Sequence, residues 1–298
     1  MSSITLPAYA KMNLYLAVTG REPNGYHSVE TVMQALSLHD LVTVETGEPG
    51  DAITLTCQVP AVPCDSSNLV WCAAEHFFDD APHLTRRNLH IHIEKQIPVA
   101  GGLAGGSTDA AAALIALNRL YGEPLTRDSL LAIAAGLGAD VPFCVLSGLG
   151  IPTALGLHYG ERMTPLPALP PLHAVAVSHG EGCPTPWAYS RIDTLSPDRP
   201  GGYLPLIDAL SQGDTAAVLS EMYNIFEDAV YPERPLALAC RQLLAASADC
   251  AMLSGSGSTV VGLFTDEGRA ASACAELQSR GAAAFLCRTL TADDGSVL

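Results

Sequence analysis

KQIPVAGGLAGGSTDAAAALIALNRLYG, Lys95–Gly122, sets glycines at 101, 102, 105 and 106 just ahead of an alanine-rich run. Glycine loses more backbone freedom on folding than any other residue, so a cluster marks a place where the chain takes positive φ or is approached closely. Ser107, Thr108 and Asp109 are N-cap or first-turn residue types, and the spacing after them predicts a helix over 109–121. Ala110, Ala113, Leu114, Leu117 and Leu120 or Tyr121 fall along one face of it. Strand, glycine loop and capped helix in that order present free N–H groups at the positive end of a helix dipole, a binding place for phosphate. The alternative is a tight strand-to-helix connection in which glycine only permits close packing; four glycines in six residues favour phosphate. Gly101 and Gly106 have Walker A spacing, but Ser107 stands where that motif requires lysine, and the G-x-G-x-x-G pattern is missing. A cation must come from elsewhere in the chain.

The 298 residues, 48% of them hydrophobic, suffice for one large or two ordinary domains with ample core. A formal net charge of −16, with 15 Lys and Arg spread along the chain, argues against a nucleic-acid surface. The opening MSSITLPAYAKMN lacks a basic stretch followed by an apolar one, and no apolar run approaches membrane-spanning length, so a cytoplasmic protein is expected. Nine cysteines without a CxxC pair read as scattered reduced thiols, with neither a disulfide framework nor a metal site.

Strands are expected at 41–46 (LVTVET) and 52–57 (AITLTC), joined like a hairpin through GEPGD. NLHIHIEK alternates, with Leu89, Ile91 and Ile93 on one face and His90, His92 and Glu94 on the other. The two histidines, without a third ligand, read as an exposed polar face. Helices are expected at 68–79, 109–121, 128–136, 214–226, 235–246 and 268–279. TPLPALPPLHA (164–174) is the candidate domain junction, and SPDRPGGYLP (196–205) a surface loop.

Three further stretches join the glycine loop as a set: AKMNLYLAVTGREPNGYHSVETVMQ from Ala10, LGADVPFCVLSG from Leu137, and AMLSGSGSTVVGLF from Ala251. In this order they resemble the GHMP superfamily of small-molecule kinases, which includes galactokinase, homoserine kinase and mevalonate kinase. Within it the A-K-x-N-L opening followed by GYH resembles the branch acting on a cytidine diphosphate-linked methylerythritol. The resemblance implies an α+β, two-domain architecture, 1–163 and 164–298, with the active site in the interdomain cleft. It further implies ATP-dependent phosphorylation of the substrate's 2-hydroxyl with Mg²⁺, as a step toward isoprenoid precursors.

Residue by residue, the resemblance makes Lys11 and Asp140 the catalytic pair, Asp140 taking the hydroxyl proton and Lys11 holding the hydroxyl and offsetting negative charge. Taken alone, Lys11 reads as a solvated charge and Asp140, two residues before Pro142, as a helix cap. Pro98, Val99, Ala100, Gly101, Gly102, Leu103, Ala104, Gly105, Gly106, Ser107 and Thr108 become the triphosphate loop, with Ser107 and Thr108 as phosphate or magnesium contacts. Ser254 to Ser258 would close over it, although a hairpin turn between Leu253 and Val260 reads equally well. The adenine pocket would draw on Asn68 and Lys95. Tyr26, His27, Asn13, Thr185 and Tyr189 become substrate contacts, the aromatics stacking on cytosine and the histidine offering it a donor or an acceptor. Asn24-Gly25 is also a turn signal, and Trp187 can be core. Met33 stands where some relatives carry a stacking aromatic, and residues 146–163 look longer than the usual connection. Two other readings stay open: a homoserine- or mevalonate-type kinase, which needs no Tyr26 and His27 beside a base, and a catalytically silent ligand sensor on the same scaffold.

Overall fold

The computed structural model describes residues 2–178, 180, 182–195 and 202–297. Two long antiparallel strands, β1 (Ser2–Arg21) and β2 (His27–Pro49), form the spine of the first sheet. They join through a turn in which Gly25 takes φ +87° and Asn24 Oδ1 accepts from the Tyr26 amide, as the Asn24-Gly25 pair predicts. The β1/β2 register shifts between Tyr9 and Lys11 and again between Asn13 and Tyr15. Such irregularities re-aim side chains near sites, and here they bracket Lys11 and Asn13.

Beyond β2 the chain forms β3 (Ile53–Cys57), α1 (Leu69–Asp80) and β4 (Arg87–Glu94). β3 pairs parallel with β4, and β4 pairs antiparallel with β2, so the hairpin expected between 41–46 and 52–57 does not form. β4 takes the place beside β2 because its alternation buries Leu89, Ile91 and Ile93 almost completely; the shorter β3 is left at the edge. His90 and His92 lie on the exposed face.

α2 (Gly105–Leu120) begins four residues earlier than the sequence suggests, because Ala104 at φ +60° turns the chain directly into it. It is also buried on all sides from Thr108 to Asn118 rather than along one stripe. It packs against β1, β2, α1 and α4 (Val141–Gly148), and its alanines let these neighbours approach. α3 (Arg127–Leu137) follows α2, capped by Thr126. The 146–163 stretch completes α4 and forms β5 (Thr153–His158), antiparallel to β2; β6 (Arg162–Pro165) then folds back on β5.

After residues 166–172 the chain enters a second sheet, ordered β11-β7-β10-β9. Its strands are β7 (His173–Ser178), β9 (Cys250–Leu253), β10 (Val260–Phe264) and β11 (Ala283–Arg288). Helices α5 (Thr185–Ile192), α6 (Leu204–Gln212) and α7 (Thr215–Ser220) precede β8 (Tyr223–Asn224). α8 (Phe226–Val230), α9 (Pro235–Ala245) and α10 (Glu267–Ser279) complete the α-helices among the described residues. The single helix expected over 214–226 is broken: β8 pairs with Tyr15 and Leu16 of β1, and buried Asn224 donates to the carbonyls of Leu253 and Gly255. The expected loop at 196–205 lies outside the described residues over 196–201, and its end starts α6. All nine cysteines are free thiols. Among the described residues no helix is long and apolar enough to cross a membrane.

Candidate active site

A cavity of about 1330 Å³ runs between the two sheets, lined by the glycine loop, β1 from Lys11 onward, the β1/β2 turn, α5 and the 255–257 loop. Its floor is the 98–108 segment. The first backbone bond of α2 runs from the Thr108 amide to the Ala104 carbonyl, so the amides of Gly105, Gly106 and Ser107 precede the hydrogen-bonded ladder, and all three residues line the cavity. Within that segment Leu103 is turned into the core, and the Thr108 hydroxyl donates to the Tyr9 carbonyl. Ser107 is therefore the hydroxyl the helix start presents to the cavity.

The hairpin reading of SGSGS is realised, and Gly255, Ser256 and Gly257 also line the cavity. β9 and β10 form the hairpin, and its tip packs on the glycine loop. Thr259 N donates to the Gly101 carbonyl at 3.0 Å, and Ser254 Oγ to the Gly102 carbonyl at 3.0 Å. Gly102, at φ +80°, cannot carry a side chain: a Cβ there would lie 2.2 Å from the Ser254 carbonyl oxygen.

Lys11 and Asp140 meet at the centre, Nζ to Oδ2 3.6 Å. The Lys11 side chain is 4% exposed and that of Asp140 37%. Asp140 occupies the N-cap position of α4, yet its carboxylate makes no cap bond and points to Lys11. Lys11 Nζ donates to Asn13 Oδ1 at 2.9 Å, Asn13 Oδ1 also accepts from the Gly255 amide at 3.0 Å, and Asn13 Nδ2 donates to Thr31 Oγ1 at 2.8 Å. Asn13 thus ties Lys11 to the second loop. A Cβ at Gly255 would come within 3.3 Å of Lys11 Nζ.

Farther along the cavity the aromatic residues gather. The His27 ring lies face to face with Tyr189, centroids 4.6 Å apart at 22°, and its Nε2 meets Asp193 Oδ1 at 2.7 Å. That hydrogen bond, partly offset by desolvation, holds the Asp193 carboxyl below the usual carboxylate range. Arg21 approaches the other oxygen at 3.4 Å. Tyr26 is 66% exposed and leans on Tyr159, whose hydroxyl accepts from Asn24 Nδ2. Burial, then the nearby Asp140 charge, pushes the Tyr189 phenol up to about 12. Thr185 Oγ1 and Ser256 Oγ are 3.2 Å apart, linking α5 to the 254–258 loop. Trp187 packs in the second sheet's core with Arg234 over its ring. Met33 lines the cavity from within the core, 1% exposed.

The second lysine of the cavity behaves differently. Lys95 Nζ lies 2.5 Å from Asp40 Oδ2 and 2.8 Å from Asp109 Oδ2, all three side chains at most 5% exposed. Burial by itself would lower the Lys95 pKa, but the two carboxylates reverse this and hold it above the ordinary lysine value. Burial, reinforced by Asp40, raises the Asp109 carboxyl to about 7 against the pull of Lys95, because one ammonium serves two carboxylates. Asn68 is the N-cap of α1, accepting from Val70 N and donating to the Pro63 carbonyl; Ala61, Val62 and Ser67 around it line the cavity.

Sequence reasoning missed Asp193, Tyr159 and Asp40. Asp193 stands four residues after Tyr189, one helical turn, which is a detectable signal. Asp40 and Tyr159 carry none, since a strand pairing and a β5–β6 turn bring them in.

The models for the GHMP kinases N terminal domain and the GHMP kinases C terminal domain match residues 68–148 and 206–283. The 4-diphosphocytidyl-2-C-methyl-D-erythritol kinase of Acaryochloris marina is 40% identical over 294 residues, spanning 94% of this chain and 93% of that protein. A crystal structure of 4-(cytidine 5'-diphospho)-2C-methyl-D-erythritol kinase superposes with a TM-score of 0.78 at 33% identity, over 96% of this chain and 99% of that one. Homoserine kinase from Cytophaga hutchinsonii superposes with a TM-score of 0.74 at 17% identity, over 98% and 95%, which shows the shared fold alone. The chain belongs to the GHMP kinases and, among them, to the 4-diphosphocytidyl-2-C-methyl-D-erythritol kinase family.

Proposed function

We propose that this protein transfers the γ-phosphoryl group of ATP to the 2-hydroxyl of 4-diphosphocytidyl-2-C-methyl-D-erythritol, giving the 2-phosphate and ADP for isoprenoid precursor synthesis. The observation that carries this reading is the Lys11–Asp140 pair at 3.6 Å, set in one cavity between helix-start amides and an aromatic cluster. Phosphoryl transfer asks for positioning, charge stabilisation and an acceptor for the hydroxyl proton. The amides at the start of α2 receive the phosphates. Asp140 Oδ2 takes the proton as the hydroxyl oxygen bonds to phosphorus and the bond to the departing ADP oxygen breaks. Lys11, held by Asn13, steadies the hydroxyl and Asp140 and offsets the growing negative charge. Ser107, which lines the same cavity as Asp140, is the oxygen donor that would help hold Mg²⁺, whose contribution when bound would be to offset the phosphate charge.

Tyr26, His27, Thr185 and Tyr189 form the base-recognition end, with Asn13 toward the reacting end. This cluster favours the cytidyl substrate over a homoserine or mevalonate class of acceptor, and the paired Lys11 and Asp140 argue against a silent sensor. The division into two domains at 163/164 draws on the change of sheet between β6 and β7, which itself falls at 166–172 after β6 ends at Pro165, with β8 crossing back to the first sheet. The free thiols suit the cytoplasm.

The test is ADP release by purified protein with Mg²⁺-ATP and each of three acceptors: the cytidyl substrate, homoserine and mevalonate. Turnover with the cytidyl substrate alone is expected. Turnover with another acceptor instead would keep the kinase and discard the base-recognition argument.

A further inference from the structure

We propose that Asp193 is a positioning residue that selects cytosine over uracil by fixing which nitrogen of His27 carries the proton. The inference rests on the reading of the cavity as a cytidyl-substrate site. A carboxylate can only accept a hydrogen bond, so the 2.7 Å contact requires the proton on His27 Nε2. Arg21, 3.4 Å from the other carboxylate oxygen, helps to orient Asp193. Tyr189 covers one face of the imidazole, and Asp193 occupies Nε2, which leaves Nδ1 as the in-plane nitrogen for a ligand. No described residue makes a hydrogen bond to Nδ1.

In the neutral ring a proton on Nε2 makes Nδ1 an acceptor. A base attached through N1 offers such an acceptor one partner if it is cytosine, the 4-amino group; its N3 and O2 are themselves acceptors. Uracil in the same stacked pose sets its O4 against Nδ1, acceptor against acceptor. Without Asp193 the imidazole is free to move its proton to Nδ1 and donate to O4. The carboxylate therefore removes the tautomer that would welcome uracil, and it acts without touching the base.

The test has two arms on the full chain. Side-chain ¹⁵N NMR at pH 8, with His27 assigned by its loss in His27→Gln, is expected to show protonated Nε2 and bare Nδ1 in the wild type, a mixture in Asp193→Ala, and recovery in Asp193→Asn, whose amide oxygen still accepts. A wild-type ring protonated on Nδ1 overturns the proposal. In the second arm, kcat/KM is compared for the cytidine- and uridine-diphosphate-linked methylerythritols. The preference for cytidine is expected to shrink about 10- to 100-fold in Asp193→Ala, mainly through KM, and to return in part in Asp193→Asn. Equal losses on both substrates, with the ratio unchanged, overturn it. Should the wild type turn over neither, the proposed function fails, and binding of cytidine 5′-diphosphate against uridine 5′-diphosphate decides the inference by itself: a preference abolished in Asp193→Ala supports it, and equal binding overturns it.

Discussion

Two lysines face the same cavity in opposite surroundings. Lys95 sits in direct contact with two carboxylates that are 0% and 3% exposed, and every partner it needs is inside the protein. Lys11 is as deeply buried, but its carboxylate stands off at 3.6 Å and is 37% exposed, so both members can take up a third group between them. Desolvated ions that are fully paired hold structure in place, because exchanging a partner would strand a charge in a medium that cannot solvate it. A loosely paired couple open to the cavity can trade contacts with a ligand at little cost. What separates the two lysines here is the spacing and exposure of the partner, not the residue types.

The contrast can be broken by substitution. Asp140→Asn is expected to lower kcat about 10²- to 10⁴-fold, about 2.7 to 5.5 kcal/mol of barrier, with the urea-unfolding midpoint near that of the wild type. An Asp140→Asn protein with near-normal ADP release would remove Asp140 as the base and leave the two lysines alike. Lys95→Met strands two buried carboxylates and is expected to cost about 3–5 kcal/mol of stability, read from urea unfolding. A loss below about 1 kcal/mol, the range of exposed ion pairs, would mean that the triad is no brace.

Smaller changes sharpen the picture. Gly102→Ala forces a methyl group against the Ser254 carbonyl at positive φ and is expected to cost about 1–3 kcal/mol. It should also loosen the contact between the two loops, seen as weaker ATP binding in calorimetry. The least effect is one of pH. With its folded pKa raised to about 7, Asp109 binds its proton more tightly in the native state than in the unfolded one. Its contribution to stability is thus fully present below the unfolded carboxylate pKa, falls as pH rises toward 7, and levels off above. The stability difference between wild type and Asp109→Asn should accordingly move in favour of the variant between pH 4 and 7. Denaturant titrations giving a constant difference across that range would place Asp109 as an ordinary ionised partner of Lys95.

Much of the cavity's lining was legible in the residues. Glycines ahead of an alanine-rich helix announced backbone amides open to an anion, since few other uses repay so much lost chain entropy. The Lys11 and Asp140 motifs carry their proposed roles through resemblance rather than through any local signal, each being unremarkable alone. Legibility failed where partners are distant in the chain. The pairing of 41–46 with 52–57 looked local, but the longer apolar face of β4 displaced β3 to the edge. The helix expected at 214–226 broke because Tyr223 and Asn224 find β1 and the 253–255 backbone, contacts that no periodicity within the segment encodes.

By itself the sequence determined the glycine loop, five of the ten described α-helices (α1, α2, α3, α9 and α10), the turn at Asn24-Gly25 and the residue types on which the phosphoryl-transfer reading draws. These depend on φ preference, capping and apolar spacing, which act over a few residues. Tertiary structure alone decided that Asp40 and Asp109 share Lys95, that Asp193 holds His27, and that Thr108 serves the core while Ser107 serves the cavity. Hydrogen bonds and ion pairs act over a few ångströms, and only the folded chain brings groups 55 or 166 residues apart within that reach.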